Sequence, residues 1–109
     1  MLRRLLRLAE YDVATFCSGE EFLTSLAERA PACVILDVHM PGWSGFDVQS
    51  RLRAERTDVP VVFITASDDP SLDEFVQKAH GIALLRKPFT SDQLLEAVDA
   101  ALRTKPRVR

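Results

Sequence analysis

Residues 32–38 read ACVILDV, an apolar run that ends in an aspartate. A strand with one wet face alternates apolar and polar residues. A strand covered on both faces reads instead as a continuous apolar run, the mark of a parallel sheet sandwiched between helices. This segment therefore constrains the fold more than any other. It also poses a chemical question, because Asp37 stands at the inner end of that strand. A buried carboxylate is costly unless it has partners or work to do.

The rest of the chain alternates in the manner such a sheet requires. Residues 1–10, MLRRLLRLAE, have the spacing of an amphipathic helix and lack the cleavage site of a signal peptide. Residues 11–16, YDVATF, form a short β-type run. Ser18 and Glu21 then have the S-x-x-E spacing of a capping box, ahead of Phe22, Leu23, Leu26, Ala27 and Ala30 at helical spacing. Pro31 stops that helix before 32–38. Ser44-Gly45-Phe46-Asp47 opens another, with Phe46, Val48 and Leu52 toward its inner side.

Residues 59–66, VPVVFITA, are a third strand, closed by Ser67-Asp68-Asp69. Pro70 suits the first turn of a helix carrying Leu72, Phe75, Val76 and Ala79. Residues 81–88, GIALLRKP, are a fourth strand. Thr90 with Gln93 caps a last helix whose Leu94, Leu95, Val98, Ala101 and Leu102 form its apolar face. The fold expected is α/β: a doubly wound parallel sheet of four strands with helices on both faces.

With 109 residues the chain supports one core, not two. Hydrophobic residues at 47% and charged residues at 28% are the balance of a soluble globular domain. The apolar runs are too short to cross a bilayer, which points to the cytoplasm. A net charge of −2 gives no field favouring nucleic acid. Basic residues do gather at the ends, and 105–109 read as a basic tail or linker start after a domain at 1–104. Cys17 and Cys33 are sixteen apart with no CxxC, so neither a disulfide framework nor a zinc site is expected.

In open α/β sheets the ligand site lies beyond the carboxyl ends of the strands. Asp37, Thr65 and Lys87 all fall at those ends, on three different strands. An aspartate oxygen can attack a phosphoryl group to give an acyl phosphate. The charge spread over the phosphoryl oxygens then needs a cation and a donor, which Lys87 and the Thr65 hydroxyl could supply. Each has a plainer reading: Lys87 as an ion-pair partner of Asp37, and Thr65 as a β-favouring residue at a strand end.

With those residues in place, the chain resembles the receiver domain of bacterial two-component response regulators. The stretches that carry the likeness are Val34-Ile35-Leu36-Asp37-Val38-His39-Met40-Pro41-Gly42 with Ser44-Gly45, then Phe63-Ile64-Thr65-Ala66, then Lys87-Pro88-Phe89. The resemblance implies a flavodoxin-like fold and phosphorelay signalling without classification as an enzyme. It makes Asp37 the acceptor of a phosphoryl group from a sensor histidine kinase, Thr65 the switch hydroxyl and Lys87 the phosphate-sensing lysine. It adds Mg²⁺, held by Asp37 and the backbone carbonyl of His39. Haloacid dehalogenase-like phosphatases, which also form an aspartyl phosphate, need a second aspartate where this chain has His39.

Two departures from the receiver pattern stand out. The family's first strand and its acidic pair would precede Met1, so the chain reads as N-terminally truncated, with that central strand missing and the metal site incomplete. An exposed strand edge there would favour a homodimer or larger oligomer. In addition, Leu84 stands where receivers carry Tyr or Phe. A degenerate receiver that binds partners without phosphorylation is the alternative reading.

Overall fold

The structure is a computed structural model, and it describes residues 2–16, 18–26, 31–39, 42, 44–54, 59–78 and 80–103. Among these residues five helices and three strands follow in the order α1 (Leu2–Leu8), α2 (Gly19–Ser25), β1 (Val34–Asp37), α3 (Gly45–Ala54), β2 (Val61–Thr65), α4 (Ser71–Lys78), β3 (Ala83–Arg86) and α5 (Ser91–Leu102). All strand pairings are parallel, in the order β1-β2-β3. Val34 lies opposite Val61 and Asp37 opposite Ile64, while Val62 faces Ala83 and Thr65 faces Arg86.

The central position of β2 explains its composition. All five of its residues are buried. Successive side chains point to opposite faces. Val61 and Phe63 join Phe22, Leu36, Val38, Val48, Leu52, Leu72 and Val76 in a core between the sheet and α2, α3 and α4. Val62 points the other way, against Ala97 and Ala101 of α5. Leu6, Leu94 and Val98 extend that second layer, so α1 and α5 cover the opposite face.

Helix ends follow local chemistry. Ser18 Oγ accepts from the Glu21 N–H at 3.1 Å. At α5 the capping box is complete: Thr90 Oγ1 accepts from Gln93 N–H, and Gln93 Oε1 accepts from Thr90 N–H. The far end of α4 closes with Gly81 N–H donating to Val76 C=O and His80 N–H to Gln77 C=O, His80 standing at φ 58°. That is the Schellman arrangement, which needs a left-handed residue at this point. Glu10, at φ 69°, ends α1 in the same way.

The first strand expected from sequence is corrected: among the described residues, 11–16 join no sheet ladder, and the sheet has three strands instead of four. The alternation itself holds, since Tyr11 and Val13 pack with Leu6, Leu94 and Val98 while Asp12 and Ala14 are exposed. Alternation reports which side chains face inward. It does not supply a backbone neighbour, and β1 makes its only described ladder with β2. Phe75, at helical spacing with Leu72 and Val76, is 51% exposed, with its ring centroid 5.9 Å from that of Phe46. Leu72 and Val76 take the inner positions. The expected tail at 105–109 and the end of the domain at 104 lie outside the described residues, as do Cys17, Trp43 and Ala79.

Candidate functional site

Asp37, Thr65 and Lys87 reach one edge of the sheet because three parallel strands end there. Asp37 is the last residue of β1 and Thr65 the last of β2, one position beyond the residue facing Asp37. Lys87 follows β3 directly, and its N–H donates to Thr65 C=O at 2.7 Å. The Lys87–Pro88 peptide is cis.

The Asp37 carboxylate has a partner at each oxygen. Oδ1 accepts from the His39 N–H at 3.1 Å, and Oδ2 pairs with Lys87 Nζ at 3.2 Å. The Asp37 charge is thus compensated, and it is not deeply buried. Side-chain exposures of 31% for Asp37 and 45% for Lys87 leave the pair open to an approaching reagent. A pair this exposed contributes only about 0.2–1 kcal/mol, so it opens at little cost.

Behind Asp37 the chain turns back sharply. Gly42 has φ +78°, and Gly45, at the start of α3, donates its N–H to Val38 C=O at 3.1 Å. A Cβ on Gly45 would stand 2.5 Å from Asp37 O and 3.1 Å from Asp37 C. Only glycine lets α3 begin this close to the acidic strand end. On the outer side, Ser44 Oγ accepts from Asp47 N–H while Asp47 Oδ2 accepts from Ser44 N–H, which fixes that first turn.

Thr65 is fully buried, and its Oγ1 accepts from the Ser67 N–H at 3.0 Å. From there polar contacts continue along the loop. Ser67 Oγ accepts from Asp69 N–H, and the Asp69 carboxylate accepts from the N–H and hydroxyl of Ser71. Those bonds, the backbone one first, hold the Asp69 carboxyl below the usual carboxylate range, with the Arg86 charge adding to the effect. Arg86 Nη2 donates to Asp69 C=O at 2.9 Å, and its two Nη atoms form a fork on the Asp73 carboxylate at 3.2 and 3.3 Å. Sequence reasoning missed Arg86. Its one signal was a charge within a strand that otherwise reads Ala-Leu-Leu.

The remaining residues singled out from sequence have plainer places. His80 is the left-handed end of α4. His39 is exposed, and its backbone N–H donates to Asp37 Oδ1. Leu84, in place of an aromatic ring, packs part-buried against the core between the sheet and α2–α4. Cys33 is packed beside Val62, Ala97 and Ala101, and burial pushes its thiol up to about 11.

A three-stranded parallel sheet with acid, hydroxyl and lysine at its carboxyl edge defines an α/β domain with a polar site at its strand ends. Comparison with known proteins supplies the family. Residues 1–99 match the family described as the response regulator receiver domain. The response regulator protein TodT of Pseudomonas putida is 36% identical over 108 residues, covering 99% of this chain and 48% of TodT. The transcriptional regulatory protein FixJ of Bradyrhizobium diazoefficiens is 31% identical over 102 residues, covering 94% of this chain and 50% of FixJ. A crystal structure of a response regulator receiver protein from Burkholderia phymatum superposes with TM-score 0.83 at 43% identity, over 98% of this chain and 87% of that one.

The chain belongs to the receiver-domain family of two-component response regulators, and its fold is the flavodoxin-like fold of that family. Receiver domains act in phosphorelay signalling as phosphoacceptors of sensor histidine kinases. The chain spans about half the length of the regulators it matches.

As a family, receivers bind Mg²⁺. A small hard cation needs near-octahedral oxygen ligation. Among the described residues no group of three or more His, Cys, Asp or Glu stands together to provide it. Glu20 and Glu21 sit at the exposed start of α2, and the Asp69 carboxylate is already bonded to Ser71. Asp37 with one backbone carbonyl is too thin a donor set. The described residues do not fit the ion.

Proposed function

We propose that Asp37 is the phosphoacceptor of this domain, with Thr65 and Lys87 as the groups that stabilise and read the phosphate. The observation that carries this reading is the pairing of Lys87 Nζ with Asp37 Oδ2, fifty residues apart in sequence, at the accessible edge of the sheet. A carboxylate oxygen of Asp37 attacks the phosphorus of a phosphohistidine. The P–N bond breaks as the P–O bond forms, and the imidazole leaves with the electron pair and takes a proton. Lys87 needs only a short movement from the carboxylate to a phosphoryl oxygen, where its charge offsets that of the transition state. The Thr65 hydroxyl, once turned toward the site, donates to a second oxygen.

Among the described residues Lys87 is the cation at the Asp37 carboxylate, so it carries most of the compensation and transfer is slow. Hydrolysis of the acyl phosphate by water closes the cycle, and the domain acts on nothing but its own carboxyl group. A cytoplasmic setting follows from the same reading. Among the described residues, no helix is long and apolar enough to cross a membrane. No direct role for this domain in contacting nucleic acid is proposed, since its net charge of −2 favours none. Among the described residues the edge of β1 away from β2 joins no ladder, which supports association with a second copy, as sizing across a range of concentrations tests.

Intact mass after incubation with acetyl phosphate tests the acceptor assignment. A single phosphoryl adduct on the wild type, lost in Asp37→Asn, is expected. A folded wild-type protein with no adduct would favour a phosphorylation-independent binding module instead.

A further inference from the structure

Thr65 and Lys87 are joined by a second route, away from Asp37. Thr65 Oγ1 holds the Ser67 N–H, Ser67 Oγ holds the Asp69 N–H, and Asp69 C=O accepts from Arg86 Nη2. Arg86 lies opposite Thr65 in the sheet and immediately before Lys87. Its other anchor is the forked pair with Asp73, in the first turn of α4. Residues 66–70 therefore form a loop pinned at one end by a threonine hydroxyl and at the other by an arginine.

A buried β-branched side chain has few χ1 positions open to it. If Oγ1 swings toward a phosphoryl group on Asp37, the Ser67 N–H loses its acceptor and the loop must shift. Whatever holds the loop opposes that swing. We propose that Arg86 is a positioning residue for the Thr65 hydroxyl: by clamping Asp69 and Asp73 to β3 it keeps the hydroxyl on Ser67 while Asp37 is unmodified. The proposal rests on the acceptor reading above and extends it to the threshold of the switch. A clamp that favours one of two arrangements sets their populations, and weakening it shifts the balance toward the other.

Amide hydrogen exchange and adduct formation from acetyl phosphate, measured on the same samples, test this. The variants are Arg86→Ala, Arg86→Lys and Asp73→Ala, the last leaving β3 untouched should the first fail to fold. Selective loosening is expected, with the Ser67 and Asp69 amides exchanging roughly three- to tenfold faster while the Val98 amide of α5 is unchanged. Adduct formation should quicken by roughly two- to tenfold in Arg86→Ala and Asp73→Ala. Lysine keeps the charge without the fork and should fall between.

Exchange at 67 and 69 that is unchanged, or raised no more than at Val98, overturns the proposal. So does an adduct rate that stays level or falls in folded variants. If the wild type takes no phosphoryl group, the acceptor reading fails, and the exchange data alone decide whether Arg86 positions the loop.

Discussion

Gly45→Ala puts one methyl group where the acidic strand end meets α3. The new carbon would lie 2.5 Å from Asp37 O, 3.1 Å from Asp37 C and 3.3 Å from Val38 Cα. All three are backbone atoms, so no side chain can rotate away, and either α3 or the end of β1 must move. Overpacking costs about 1–3 kcal/mol, and contact with backbone places this case near the upper end. Alanine recovers at most about 1 kcal/mol of helix propensity. The net loss is about 2 kcal/mol, which in a domain of this size lowers Tm by about 8 °C. Gly42→Ala is the comparison: its Cβ meets nothing within 4 Å, and only the positive φ is strained. That costs about 1 kcal/mol, or about 4 °C. Thermal unfolding followed by circular dichroism distinguishes the two. A Gly45→Ala protein as stable as wild type, or less affected than Gly42→Ala, would refute the close approach of α3 to Asp37. Displacing the Asp37 carbonyl should also slow adduct formation in Gly45→Ala, an effect not expected of Gly42→Ala.

Other perturbations have opposite signs. Glu10→Gly removes an exposed side chain from a left-handed position, φ 69°, and should stabilise the fold by about 1 kcal/mol, seen as a higher Tm. Cys33, part-buried and with its thiol pushed up to about 11, should react only slowly with iodoacetamide at pH 8 until the protein unfolds, as peptide mapping after alkylation would show. Asp69 has a depressed carboxyl pKa in the folded protein, so its ionised form adds stability above the unfolded value near about 3.9. That contribution fades as pH falls through the lower folded value. Denaturant titrations of wild type and Asp69→Ala should therefore differ at pH 7 and converge in acid.

Local chemistry was what the sequence made legible. The apolar runs at 32–38 and 59–66 became β1 and β2, Thr90 and Gln93 became a full capping box, and Asp37 met Lys87 at 3.2 Å. In each case the signal lies in short-range spacing or in the end of a strand, and parallel pairing alone then brings the strand ends together. Where the outcome depends on a non-local neighbour, the pattern carries less. Residues 11–16 alternate correctly and still join no ladder, since alternation specifies a face and not a hydrogen-bonding partner. Phe75 keeps the helical spacing of Leu72 and Val76, yet it sits at the margin of the face, where Phe46 covers only part of its ring. The role of Arg86 was not legible for a related reason. Its partners, Asp69 and Asp73, lie on another element, and no spacing links them to β3.

The acceptor assignment is tested most directly by trapping the modified residue. After incubation with acetyl phosphate, borohydride reduces an acyl phosphate to the corresponding alcohol, turning a phosphorylated aspartate into homoserine. Peptide mass spectrometry should find homoserine at position 37 and at no other acidic residue. Homoserine at a different aspartate, or none in a protein shown to be folded, would contradict the account of Asp37 as the phosphoacceptor.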